Sequence, residues 1–117
     1  TDLAYSWLER NYKIELSMEM LKEAYNLRKN DPYITDSLGW GYYLINDFEN
    51  AEKYLKKAVE LMPYDPIVND HYGDILWMLN RKIQARYFWN NVLNLEETDD
   101  EMKIDVKKKI IYGIEKT

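Results

Sequence analysis

One set of residues recurs in this chain 34 positions apart. Asp31, Pro32, Asp36, Gly39, Asn46, Ala51 and Leu61 are matched by Asp65, Pro66, Asp70, Gly73, Asn80, Ala85 and Leu95, and Ile34, Tyr54 and Ala58 answer to Val68, Phe88 and Val92. A fixed period of this length predicts stacked supersecondary units, none of which can bury its apolar face alone. Such folds offer an extended surface to partners. The activity expected is therefore binding, and no enzyme is expected.

Within each unit the apolar period is helical. From Phe48 to Met62, the residues Ala51, Tyr54, Leu55, Ala58 and Met62 share one face, while Glu49, Lys53, Lys56, Lys57 and Glu60 occupy the other. Asp31–Pro32 and Asp65–Pro66 each read as an N-cap followed by proline at the first helical position, where the missing N–H costs nothing. The pattern predicts helices over 32–45, 48–62, 66–79 and 82–95, with a turn at Asn46 and Asp47. One period earlier, Asp2, Leu21, Ala24 and Leu27 answer Asp36, Leu55, Ala58 and Leu61. This is a degenerate unit with helices over 2–12 and 15–29 and with Ser17 in the place of Ala51. Gly39 with Ala51, and Gly73 with Ala85, fall where paired helices cross and small side chains let backbones approach. Tyr42, Tyr54, Leu55 and Ala58, with Leu38 and Ile45, are expected to fill the space between successive hairpins. After the polar stretch from Glu96, a last amphipathic helix carries Ile104, Lys107, Lys108 and Ile111 on one diagonal and Val106, Ile110 and Ile114 on another. A helix of that kind covers the end of a repeat array.

Composition removes other classes of function. A net charge of −5, with lysines dispersed among the acids, provides no basic stripe for a phosphate backbone, so no nucleic-acid partner is expected. An acidic surface favours basic or apolar protein partners. With no cysteine and the single histidine His71, the chain lacks the ligands of a thiolate or multi-histidine metal site, and it has no glycine-rich phosphate loop; neither metal nor cofactor is expected. No apolar run is long enough to insert in a membrane. The chain starts inside a repeat, without methionine, as expected of a piece of a longer protein. Its compartment, cytoplasm or cell envelope, is then set by an N-terminal region outside this piece.

The spacing of Leu38, Gly39, Tyr42, Phe48, Ala51, Ala58 and Pro63 resembles the tetratricopeptide repeat. The second copy keeps Gly73 and Ala85 but has Tyr72, Leu76, Lys82 and Glu97 where the repeat has leucine, tyrosine, an aromatic residue and proline. The strings DPYITDSLGW and ARYFWNNVLNLE resemble the C-terminal repeats of long alphaproteobacterial proteins of this family. The resemblance implies an all-α fold, a right-handed solenoid of antiparallel helix pairs. It implies about three units, at 1–31, 32–65 and 66–97, and a capping helix with a tail over 98–117.

In that family the first helix of each unit lines a concave groove. The resemblance therefore directs Tyr33, Asp36, Trp40, Tyr43 and Leu44 of one unit to the groove, followed by Ile67, Asp70, Asp74, Trp77 and Met78 of the next. Asp2, Ser6, Glu9 and Arg10 follow from the degenerate unit. The expected function is a protein-interaction scaffold whose partner-binding groove comprises Asp36, Trp40, Tyr43, Leu44, Asp70, Asp74, Trp77 and Met78. Packing offers another account of the same residues. Trp40, Tyr43 and Trp77 also suit contacts between repeats, Asp36 and Asp70 suit the positive end of a helix dipole whatever binds, and His71 suits a capping or packing role. A structural segment that self-associates into a homo-oligomer, without a peptide ligand, is the alternative function. Chaperone-binding relatives carry lysine, arginine and asparagine in the groove where this chain has Asp, Ser and apolar residues, so binding of acidic chaperone tails is not expected.

Overall fold

The computed structural model describes residues 2–115. Among them run α1 (Asp2–Glu9), α2 (Ile14–Leu27), α3 (Pro32–Leu44), α4 (Phe48–Leu61), α5 (Pro66–Met78), α6 (Lys82–Asn94) and α7 (Asp100–Tyr112), and no strand. The architecture is an all-α helical-repeat solenoid, 36 × 32 × 23 Å. Each helix packs on the next in sequence, and the first helices also meet one another, α1 on α3 and α3 on α5.

Local chemistry sets the register. Helices α3, α5 and α7 are each 13 residues long and begin at 32, 66 and 100, one period apart. Their starts are built alike. The Asp31 carboxylate accepts the N–H groups of Tyr33 and Ile34, that of Asp65 accepts Val68 N–H, and that of Asp99 accepts Met102 N–H. These bonds satisfy donors that an α-helix leaves free at its N-terminus. Helix α7 therefore stands in the register of a further first helix. The sequence signal is Asp99, one period after Asp65, in a segment that lacks the proline and carries Lys107 where the glycine would fall.

The recurrence of Asn46 and Asn80 has an equally local cause. Both close the hairpin turn with φ 64°, a left-handed conformation that asparagine tolerates better than most residues. The expected bounds of α3 to α6 hold to within one residue, but α1 ends at Glu9 instead of reaching Tyr12. Asn11 (φ 52°) and Lys13 (φ 48°) enter the left-handed region and break the helix. Ile45 also departs from expectation: it lies at the C-cap, beyond the last turn of α3, and is 49% exposed.

Core and crossings follow the small residues. Ser17, Ala51 and Ala85 have no exposed surface. Gly39 faces Leu55 of α4, and Gly73 faces the indole of Trp89 of α6. Tyr54 stacks on Tyr42 (5.6 Å between centroids) and meets Tyr25 edge-on (5.1 Å), joining the first hairpin to the second. A Cβ added at Gly39 would lie 2.8 Å from the Leu55 side chain and 3.0 Å from its backbone nitrogen. The side chain can turn but the backbone cannot, so Gly39→Ala should lower unfolding free energy by about 1–3 kcal/mol with helicity retained. Urea unfolding followed by circular dichroism checks this; an unchanged midpoint would show that α4 yields freely.

Candidate functional site

The face built by the first helices holds most of the chain's buried charge. Between α3 and α5, His71 Nδ1 lies 3.0 Å from both carboxylate oxygens of Asp36, and both residues are buried. Trp40 stacks on the His71 ring (4.0 Å, 11°) and on Tyr43 (4.5 Å, 10°), so three rings lie in one pile beside the ion pair. Burial alone would lower the His71 pKa. The Asp36 carboxylate, helped by Asp70 and Asp74, outweighs it and leaves His71 above its usual value. Tyr43 is buried too, and burial followed by the nearby charges of Asp74 and Asp70 pushes its phenol up.

One repeat further, a lysine from α7 fills the equivalent place. Lys109 Nζ sits 2.5 Å from Asp70 Oδ1 and 2.7 Å from Asp74 Oδ1, with its ammonium 5.5 Å from the centre of the Trp89 ring. Trp89 Nε1 donates to the same Asp74 oxygen at 3.1 Å. Burial, then the Asp70 charge, pushes the Asp74 carboxyl up to about 6 despite the lysine. Burial works against charged Lys109, but Asp74 and Asp70 outweigh it and raise its pKa.

The end of α7 closes over Trp77. Trp77 Nε1 donates to Ile114 O at 3.1 Å, while Arg86 and Lys82 each lie 5.0 Å from the indole centre. Gly113 (φ 72°) rests so near the indole that no other residue fits there. Val106 is wholly buried, whereas Ile104 and Ile111 stand exposed.

The eight residues expected in the groove thus fall at different depths. Asp36, Tyr43 and Asp74 are buried; Trp40, Leu44, Asp70, Trp77 and Met78 are half-buried, and all of these but Asp70 pack against the central core. The stack and α3–α5 contact bring Asp36, Trp40 and Tyr43 together, and Lys109 brings Asp70 to Asp74. Openness lies elsewhere, toward the helix N-termini. Tyr33 and Ile67, the same position in successive units, are 63% and 44% exposed. They border a cleft of about 210 Å³ that is also lined by Asp2 and Tyr5 of α1, Ile34, Asp36 and Ser37 of α3, and Asp65 and Val68 at the start of α5. Burial pushes the Tyr5 phenol up to about 12, with contributions from Glu9, Asp36 and Asp65, so those carboxylates act together on this spot.

Lys109 escaped the sequence reading, and Tyr5 was not among the residues expected in the groove. Lys109 lies between the two diagonals of its helix, and only the 34-residue register of Asp99 would have aligned it with α5. Among the described residues no cluster of His, Asp and Glu could hold a metal ion, and no helix is long and apolar enough to cross a membrane.

A scan against protein-family models matches none of them. The chain is 33% identical over 72 residues to a TPR repeat-containing protein of Pseudomonas aeruginosa, a match covering 62% of this chain and 12% of that protein. It is 35% identical over 65 residues to human aspartyl/asparaginyl beta-hydroxylase, covering 56% of this chain and 9% of the enzyme. With anaphase-promoting complex subunit CDC16 of Saccharomyces cerevisiae it shares 44% over 39 residues, 33% of this chain and 5% of that one. The chain therefore spans only a small part of these relatives' length. Among solved structures, the first TPR of Spaghetti (RPAP3), bound to the HSP90 peptide SRMEEVD, superposes with a TM-score of 0.76. That match has 17% identity and covers 92% of this chain and 84% of the other.

Two outcomes follow from the charge arrangement. Lys109→Met keeps the aliphatic stem but leaves Asp70 and the buried Asp74 without their cation. It should destabilise the protein by up to about 3 kcal/mol and speed amide exchange in α7 first; the further change Asp74→Asn should restore part of the loss. Exchange unaltered in α7 would mean that apolar contacts alone hold it.

The second outcome is a pH dependence. A histidine raised in the folded state stabilises it fully below the unfolded value near 6.5, and that contribution is lost as pH rises through the raised one. Asp74 acts in the same direction over the window from its usual value near 3.8 up to about 6. The His71 contribution to unfolding free energy should fall as pH rises above the unfolded value near 6.5 and through the raised folded one, and His71→Gln should flatten this part of the profile. A profile identical in wild type and variant would exclude the ion pair as its source.

Proposed function

From the premise that this chain is a tetratricopeptide-repeat protein, we propose that it is a protein-interaction module whose first-helix face receives a segment of another protein. The observation that carries the reading is the exposure of Tyr33 and Ile67, one per repeat, beside Asp2, Asp36 and Asp65. Apolar anchors flanked by fixed charge are what a peptide-receiving surface needs. Trp40, Leu44, Asp70, Trp77 and Met78 extend that surface toward α7, while Asp36, Tyr43 and Asp74 support it from beneath.

Charge selects the kind of partner. The face is acidic and partly apolar, which favours a segment combining basic with apolar residues. The acidic peptide SRMEEVD seen on the Spaghetti repeat would here meet charge of its own sign. We assign the chain no catalytic step: its match to the beta-hydroxylase lies within 9% of that enzyme's length. Leu3, Tyr12 and Leu16, exposed on the first unit, favour the second reading, self-association.

A photo-crosslinking residue installed at position 33, and separately at position 87, tests the face. Tyr33 and Tyr87 are 63% and 62% exposed, but Tyr87 belongs to a second helix. In the source cell, position 33 should capture a discrete protein that position 87 does not. Capture from 87 alone would move the interface to the second helices, and capture of the chain by itself would favour self-association.

A further inference from the structure

Each first helix carries a carboxylate toward its successor, and at two places the successor supplies a cation. His71 of α5 answers Asp36 of α3, and Lys109 of α7 answers Asp70 and Asp74 of α5. The cleft at the helix N-termini breaks this rule: none of the described Lys, Arg or His side chains forms an ion pair with Asp2 or Asp65. Asp65 gives one oxygen, Oδ2, to the Val68 N–H.

We propose that this cleft receives a single arginine or lysine side chain of the partner segment, its stem against Tyr5, Tyr33 and Ile67 and its charged head between Asp2 and Asp65. This rests on the reading of the first-helix face as the interaction surface. Size supports it: about 210 Å³ is smaller than the roughly 300–1,000 Å³ of pockets that enclose drug-sized ligands, and suits one long side chain. Shape supports it as well, since apolar walls cover the methylenes of a basic residue while the head meets carboxylates. The molecule holds its own example. Lys109 lies with its side chain 20% exposed, its head between two carboxylates and near an indole, which is the same set of contacts made from within.

The test uses the full chain and a phage-displayed library of random 12-residue peptides, panned at low salt and read by binding of the enriched peptides as synthetic products. Asp2→Asn with Asp65→Asn removes two charges while leaving an asparagine N-cap on α5; Tyr33→Ala with Ile67→Ala removes the exposed apolar border. Enriched peptides should carry Arg or Lys beside an apolar residue, bind the charge variant at least about tenfold more weakly, and weaken with added salt. Peptides that lack a basic residue, or that bind the charge variant unchanged yet lose affinity for the Tyr33/Ile67 variant, would overturn the basic anchor and leave the face as the binding surface. Binding unaffected by either variant, or no enrichment at all, would overturn both. Complete displacement of the peptides by millimolar free arginine would assign the cleft to a small cation instead of a protein segment.

Discussion

The arrangement of every functional group in this molecule depends on how closely two helices of a hairpin approach. At Gly39 the α3 backbone lies against Leu55, and at Gly73 the α5 backbone lies against the Trp89 ring. These approaches fix the hairpins, and stacked hairpins fix the spacing of the first helices. Only at that spacing does Asp36 reach His71, or Trp89 bring its N–H to Asp74. The small residues therefore act on the charged face indirectly, by setting its ruler.

Buried charge is a costly way to join helices, because desolvation cancels much of the attraction. Its use here has a geometric consequence. Apolar contacts between first helices tolerate sliding along their axes, whereas a carboxylate held 3.0 Å from an imidazole, under a ring pile, has one acceptable register. The Lys109 ammonium fixes α7 in the same manner, and Trp77 Nε1 bonded to Ile114 O adds a second point of attachment. Two points define the placement of α7, which has no second helix of its own among the described residues.

How much of this was legible depended on the range of the interaction. The N-caps at Asp31 and Asp65 act over two or three residues, and their spacing showed in the sequence. Asn46 and Asn80 were visible as matched turn residues, though the φ of 64° that explains them was not. The pairs Asp36–His71 and Asp74–Lys109 each span 35 residues. That separation is close to one period, so the period could have brought the helices together, but it could not show which side chains would turn inward. For the same reason the expected groove list mixed three buried residues with five half-buried ones, and omitted Tyr5. The early end of α1 depended on left-handed backbone at Asn11 and at Lys13; Asn11 has no matched partner one period on to mark it as a turn, and lysine has no preference for that conformation.

The distribution of cations then decides where the first-helix face remains open. An acid already paired within the fold has spent most of its attraction, and a second cation arriving there gains little. Asp70 and Asp74 share Lys109, and Asp36 shares His71. Toward the N-termini of the first helices, exposed Asp2 and half-buried Asp65, neither of them in an ion pair among the described residues, lie beside exposed Tyr33 and Ile67. Negative potential in a partly apolar recess is stronger than on open surface, because low-dielectric walls focus the field. The same residues that fix α7 on α5 therefore leave the cleft along the N-termini of the first helices as the part of this face where charge from outside is worth most.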